Sequence, residues 1–171
     1  MSKVLVVNYG KCVGCHTCEE ACSVKQMGVV NPLLSRIQIV KRGMGIENVP
    51  LACAQCESAP CETICPVKAI SRDESLGRVL VDYDVCIGCR MCVAVCPFGA
   101  MSFDTIDKKV FKCDLCGGDP VCVKFCQYDA LQYVEASEQG AIKRTAVAKK
   151  LSEMMRRIIS AVPESSTTST E

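Results

Sequence analysis

The chain of 171 residues carries 20 Lys and Arg against 19 Asp and Glu, a formal net charge of +1, so no basic excess marks it for nucleic acid. Four Tyr, four Phe and no Trp exclude a conventional aromatic-rich core, and no apolar run approaches the roughly 18 residues that span a bilayer, so no direct membrane insertion is expected. Sixteen cysteines in so short a chain leave two broad classes, a disulfide-stapled secreted domain or a metal-binding protein.

In chain order, Lys3-Val-Leu-Val-Val7 is a β-branched apolar run that predicts a strand. The N-terminus has no long apolar core, no small-residue cleavage site and no twin arginine, so it does not read as an export signal. That reading places the chain in a reducing, cytoplasmic compartment, where clustered cysteines bind metal rather than one another. Export bound to a signal-bearing partner stays open. Cys12, Cys15, Cys18 and Cys22 follow, spaced C-x2-C-x2-C-x3-C. Residues 34–40 predict a second strand, with Leu34 and Arg36 on one face and Ile37 and Ile39 on the other. Gly43 and Gly45 then mark the turn of a hairpin-like insertion. The second group, Cys53, Cys56, Cys61 and Cys65, reads C-x2-C-x4-C-x3-C. Residues 78–83 repeat the strand-then-loop order before Cys86, Cys89, Cys92 and Cys96, which share the first spacing. The fourth group, Cys113, Cys116, Cys122 and Cys126, reads C-x2-C-x5-C-x3-C. Short helical turns are expected after the fourth cysteine of each group.

An internal repeat runs through this order. Tyr9 and Tyr83 each stand three residues before a C-x2-C-x2-C-x3-C group, and Pro60 and Pro120 lie in the lengthened gaps. A duplicated two-group unit, with halves near 1–72 and 73–136, accounts for both. The stretch 137–163 has no cysteine and predicts an amphipathic helix over 141–162, with Val147, Leu151, Met154, Ile158 and Val162 on one side. Lys143, Arg144, Lys149, Lys150, Arg156 and Arg157 fall on the opposite side, Pro163 ends the helix, and 164–171 is a polar, disordered tail. The helix either packs on its own domain or docks on a partner subunit or a second copy.

Three thiolates at three-residue steps plus a fourth just beyond is the ligand pattern of bacterial [4Fe–4S] ferredoxins, so the four groups predict four [4Fe–4S] clusters. The loop between the first cysteines can aim successive N–H groups at the cluster, and Gly14 and Gly88 are expected to let the backbone approach it closely. Lys11, Lys68, Lys112 and Lys124 are placed to influence cluster potentials. Isolated C-x2-C pairs also bind structural zinc, and groups two and four taken alone fit that reading; groups one and three do not. In two-cluster ferredoxins the fourth cysteine reaches across to the other cluster. Groups two and three both end in Cys-Pro, at Pro66 and Pro97, which marks an inner module, 53–101, with crossed fourth ligands. Its clusters are expected on Cys53, Cys56, Cys61 with Cys96, and on Cys86, Cys89, Cys92 with Cys65. Groups one and four then pair in an outer module, built from 1–30 with 102–136, the nested pairing being preferred to a sequential one. Its clusters are expected on Cys12, Cys15, Cys18 with Cys126, and on Cys113, Cys116, Cys122 with Cys22. His16, the only histidine, is read as a neighbour of the first group rather than a ligand, because no cysteine is missing.

The stretch from Cys53 to Ile70, with its Ala-Pro-Cys and Cys-Pro-x-x-Ala-Ile elements, and the segment from Cys12 to Cys22 resemble the four-cluster iron–sulfur subunits of molybdenum and tungsten oxidoreductases. The resemblance covers about residues 1–135. That family includes beta subunits of dimethyl sulfoxide reductase, formate dehydrogenase and nitrate reductase. It also includes small electron carriers of hydrogenases, carbon monoxide dehydrogenase and tungsten aldehyde oxidoreductases. The compact form with an amphipathic tail is most similar to the small subunit of a bacterial tungsten-dependent aldehyde oxidoreductase.

The resemblance implies an α+β fold of two pseudo-symmetric ferredoxin-like modules plus a C-terminal helix. It also implies single-electron transfer between a catalytic molybdopterin or tungstopterin subunit and a second redox partner, such as a flavin subunit. A free polyferredoxin serving several enzymes, or a cluster-based redox sensor, are the other readings. No G-x-G-x-x-G fingerprint, phosphate loop or nucleophile–base pair points to catalysis by this chain itself.

Overall fold

The computed structural model describes residues 3–43, 47–138, 152, 153 and 156. The chain divides into two units, Met1–Glu135 and Ala136–Glu171. The helix expected over 141–162 and the tail at 164–171 lie outside the described residues, apart from Ser152, Glu153 and Arg156.

In the first unit, mixed α and β, four two-stranded antiparallel ribbons frame four short helices. Strand β1 (Lys3–Val7) leads to helix α1 (Thr17–Met27), then to the ribbon of β2 (Ile37–Arg42) and β3 (Glu47–Ala52). Helix α2 (Pro60–Thr63) precedes the ribbon of β4 (Ile70–Asp73) and β5 (Arg78–Val81). Helix α3 (Met91–Val95) precedes the ribbon of β6 (Met101–Asp104) and β7 (Lys109–Lys112). Helix α4 (Val121–Lys124) leads to β8 (Leu131–Glu135), which returns to pair with β1 in the register Lys3↔Glu135 to Val7↔Leu131. The ribbon between β1 and β8 closes the unit by joining its first strand to its last.

Local chemistry shifts several expected boundaries. The strand expected at 34–40 starts only at Ile37, because Pro32–Leu34 form a 3-10 turn with proline in its first positions and the Asn31 side chain accepting from Leu33 N at 3.1 Å. Buried Ser35 then donates its hydroxyl to the Ile37 carbonyl at 2.5 Å and turns the chain into the strand. The strand expected at 78–83 ends at Val81, where the Asp82 carboxylate accepts from Asp84 N at 2.9 Å in an Asx turn. The helical turns are displaced too. They carry the third cysteine of each group, Cys18, Cys61, Cys92 and Cys122, and only α1 continues past the fourth. Pro66 and Pro97 disfavour helical backbone at the preceding cysteine, and Cys96 is extended, with φ −66° and ψ 112°.

Thiols and aliphatic side chains share the core. One buried cluster gathers Ala59, Ile70, Val79, Cys92, Met101 and Val110, with Cys56, Cys61, Cys65, Cys86 and Cys96 packed against it. A second gathers Cys18, Cys22, Ile37, Cys122 and Leu131, with Cys126 against it. Helix α2 packs on α3 and helix α1 on α4, so residues from the two ends of the unit meet around one core and those from its middle around the other. Ile37 is 1 % exposed and touches the thiol-bearing helices of the second core. Replacing it with alanine should lower the stability of the metal-loaded protein by about 2–5 kcal/mol, read as an earlier urea midpoint under anaerobic conditions.

Candidate metal centres

All sixteen cysteines are free thiols. Cys53, Cys56, Cys61 and Cys96 line one cavity, with Ala59, Val79 and Met101 as part of its apolar wall. Cys65, Cys86, Cys89 and Cys92 line a second, among Val67, Ile70, Ile87 and Val110. Cys12, Cys15, Cys18 and Cys126 line a third, among Val13, Ile39, Phe125 and Leu131. The remaining four, Cys22, Cys113, Cys116 and Cys122, line none of these three cavities. Each of the three cavities takes three cysteines from one group and the last cysteine of another. Among the described residues, no three His, Cys, Asp or Glu side chains converge on a point where a single ion would sit. Four thiolates on one zinc would stand about 3.8 Å apart, from a Zn–S distance near 2.3 Å.

The loops that present these thiols use left-handed backbone at repeated places. Gly14 (φ 72°) and His16 (φ 64°) flank Cys15, and Gly88 (φ 67°) and Arg90 (φ 64°) flank Cys89 in the same way. These residues turn the chain around the second cysteine of each group, the type of curvature that gathers N–H groups into an anion-binding nest. The glycines also answer a steric demand from the protein. A Cβ at Gly14 would collide with the Asn48 side chain, and one at Gly88 with the Lys108 carbonyl oxygen. The close approach that these glycines permit is therefore to a neighbouring ribbon end.

A second device repeats after the fourth cysteine. Lys68, Gly99 and Asp129 have positive φ, and their N–H groups donate to the carbonyls of Cys65, Cys96 and Cys126. In two of these turns the next N–H reaches the sulfur itself, from Ala69 to Cys65 and from Ala130 to Cys126, each at 3.3 Å. Arg36 N donates to Cys22 at 3.3 Å and Leu115 N to Cys113 at 3.4 Å. An N–H aimed at sulfur favours the thiolate over the thiol. Four thiols per set, apolar walls and these donors fit a [4Fe–4S] cluster, whose four irons each take one cysteine thiolate.

Burial works the other way. It pushes the Cys18 and Cys113 thiols up to about 12 and the Cys92 thiol to about 11, from an ordinary 9.0. Neighbouring sulfurs add to the effect, Cys15 and Cys12 on Cys18 and Cys89 on Cys92. Cys122 is also raised, by burial first and then by Cys113, Cys22, Cys116 and Cys18. These four thiols therefore keep their protons at neutral pH until a metal displaces them.

His16 lines none of the cavities; its Nδ1 bonds Glu19 Oε2 at 2.5 Å, and buried Glu19 also accepts from Ile39 N at 2.5 Å. Of the lysines beside the groups, Lys11, Lys68 and Lys124 are exposed and Lys112 is buried. Sequence reasoning missed Gln55, whose left-handed backbone (φ 51°) sets its amide between Val79 N at 2.8 Å and the Cys113 carbonyl at 2.7 Å. It also missed the ion pair of Arg36 with Asp114 at 2.9 Å. Neither carries a local signature, because the partners are far apart in the chain.

The chain matches the model of the 4Fe-4S dicluster domain over residues 44–136 and that of a 4Fe-4S binding domain over residues 9–25. It belongs to the 4Fe-4S dicluster family, and it binds multiple [4Fe–4S] clusters. It is 41% identical over 123 residues to YsaA of Escherichia coli, provisionally named an electron transport protein, a match spanning 67% of this chain and 76% of that one. It is 43% identical over 108 residues to the electron transport protein HydN of Escherichia coli, across 59% of each chain. A third relative, 42% identical over 93 residues, is the polyferredoxin-like subunit of the aliphatic sulfonate oxidoreductase of Pyrococcus furiosus, with 54% of this chain and 53% of that one covered. This chain thus spans little more than half the length of the second and third of these relatives. It is an iron–sulfur protein, and the relatives it resembles carry the names of electron transport proteins and of an oxidoreductase subunit.

Two outcomes follow from the site. Each departing ligand takes up a proton, so the iron held against a chelator should fall as the pH is lowered from about 8 to 6, measured by anaerobic iron assay. Gly88→Ala combines a collision with strained backbone. It should destabilise the loaded protein by about 1–3 kcal/mol and reduce its iron content, with Ala→Gly reversion restoring both.

Proposed function

We propose that the chain is the electron-transfer subunit of an oxidoreductase complex and holds four [4Fe–4S] clusters in one row. The ligand sets are Cys12, Cys15, Cys18 and Cys126; Cys22, Cys113, Cys116 and Cys122; Cys53, Cys56, Cys61 and Cys96; and Cys65, Cys86, Cys89 and Cys92. The observation that carries this reading is the set of three cavities, each lined by four thiols drawn from two groups. When bound, each cluster supplies a one-electron redox couple. The row runs through the sets in the order given. Packing of Cys18 and Cys126 with Cys22 and Cys122 in one core supports the first step, and packing of Cys56, Cys61 and Cys96 with Cys65, Cys86 and Cys92 in the other supports the last.

The protein's own part is to hold, insulate and expose. Val79, Met101, Ile39 and Leu131 keep water from the thiols they face. Of all the cysteines only Cys15 and Cys89 are exposed, and they belong to the first and last sets of the row. Around Cys15 stand exposed Val13, Phe125 and Tyr128, and around Cys89 stand exposed Ile87 and Met91. Two apolar rims over two terminal sets suit one redox partner at each end. In this reading the modules 53–101 and 1–30 with 102–136 each hold two clusters.

The catalytic partner is a molybdopterin or tungstopterin subunit, and a tungsten-dependent aldehyde oxidoreductase is the particular assignment. A relative that is the polyferredoxin-like subunit of an oxidoreductase supports the subunit reading, and relatives named simply as electron transport proteins support a free carrier as its alternative. The test is an anaerobic pull-down of the tagged chain from its native cells, with iron, sulfide, tungsten and molybdenum quantified. About sixteen irons per chain, together with a pterin metal and a large partner, is the expected result. The same iron with no partner favours the free carrier, and zinc in its place overturns both.

A further inference from the structure

One buried cation stands apart from the thiol sets. Lys112, the last residue of β7, is 3 % exposed. It lines the cavity of Cys53, Cys56, Cys61 and Cys96, and it directly precedes Cys113 of the neighbouring set. Its ammonium donates to the Val79 carbonyl, to the Cys113 carbonyl at 2.8 Å and to Gln55 Oε1 at 3.4 Å. All three acceptors are neutral. Other buried or half-buried cations nearby have carboxylate partners, Arg36 with Asp114 and Arg78 with Asp73, each at 2.9 Å. Among the described residues no carboxylate pairs with Lys112.

An ammonium is expensive to bury unless an anion offsets it. Here the groups that become anionic are thiolates, and the Lys112 charge already acts on Cys61 against the effects of burial and of Cys53. Gln55 fixes the position. Its amide is held by Val79 N and the Cys113 carbonyl while its oxygen receives the ammonium. The lysine is thus tied to segments from both neighbouring thiol sets, and it has little freedom to swing away into solvent.

We propose that Lys112 is the built-in counter-charge of the cluster on Cys53, Cys56, Cys61 and Cys96 and raises that cluster's reduction potential. The inference rests on the four-cluster reading above. One-electron reduction, with the electron supplied by a neighbouring cluster in the row, adds one negative charge to the site. A fixed positive charge at short range in a water-poor interior stabilises that added charge. Lys11, Lys68 and Lys124 lie in solvent, where water and salt screen them, and Lys124 already pairs with Asp119. Lys112 is a positioning residue in this sense: it touches no redox partner and acts through the site it faces.

The test is an anaerobic redox titration of the full chain, followed by electron paramagnetic resonance with dithionite as reductant, on wild type, Lys112→Met and Lys112→Arg. Iron and sulfide are counted first. About sixteen of each per wild-type chain upholds the four-cluster reading, and a much lower count strikes that reading independently of the potentials. In loaded Lys112→Met the reduction equilibrium constant of one cluster should fall at least tenfold, about 59 mV for a one-electron couple. Lys112→Arg, which keeps the charge, should stay near wild type. Unchanged potentials in a fully loaded Lys112→Met overturn the proposal. Where that variant loses iron, Lys112→Gln takes its place: a downward shift of one cluster supports the counter-charge, and no shift overturns it.

Discussion

A thiolate is a poor thing to bury, yet this domain carries sixteen cysteines and sets five of them among its buried side chains. Desolvation holds the Cys18, Cys92, Cys113 and Cys122 thiols as neutral acids. Only a metal that takes the place of the protons can turn such a core into the anionic one that the N–H donors around it are arranged to receive. Much else in the fold follows from that demand. With four Phe, four Tyr and no Trp, the chain has few large side chains to fill its centre. Its two cores are instead mixtures of sulfur and small aliphatic groups.

The architecture meets this demand by repetition. Left-handed residues flank Cys15 and Cys89, tight turns follow Cys65, Cys96 and Cys126, and a ribbon end presses on Gly14 as another does on Gly88. Non-glycine residues in that backbone region are strained, and here they sit where the chain has to wrap a compact guest. The pairing of α1 with α4 and of α2 with α3 explains how distant cysteines meet. The ribbon of β1 and β8 ties the ends of the chain together, so Cys126 comes home beside Cys12, Cys15 and Cys18.

Charge is distributed with the same economy. Carboxylates and guanidinium groups at the surface of the sets pair with one another, as Arg36 does with Asp114 and Arg78 with Asp73. Asp73 is held down to about 2 by the Ser75 hydroxyl and then by Arg78, so it remains an anion wherever the protein works. The buried ammonium of Lys112 has no such partner among the described residues. Among otherwise similar thiol sets, that asymmetry gives a physical means to make one site differ from the others.

That the chain binds [4Fe–4S] clusters was legible from the cysteine spacing, because closely spaced thiolates let one tight loop offer several corners of one cluster. The strands at Lys3–Val7 and Arg78–Val81 were legible too, from β-branched runs whose preference is local. Boundaries were less so. Pro32 and Asn31 moved the start of β2, and the prolines after Cys65 and Cys96 moved the helical turns ahead of the fourth cysteine. What could not be read in advance was everything that depends on two distant segments meeting. Lys112 is one lysine among several near the cysteines in the linear chain, and Gln55 one ordinary amide within C-x2-C. Hydrogen bonds with the Val79 backbone and to the Cys113 carbonyl set them apart, and those bonds exist only once the ribbon of β4 and β5 packs against β7. Spacing along a chain encodes which atoms can bind a metal; the field those atoms feel comes from neighbours that folding alone brings within reach.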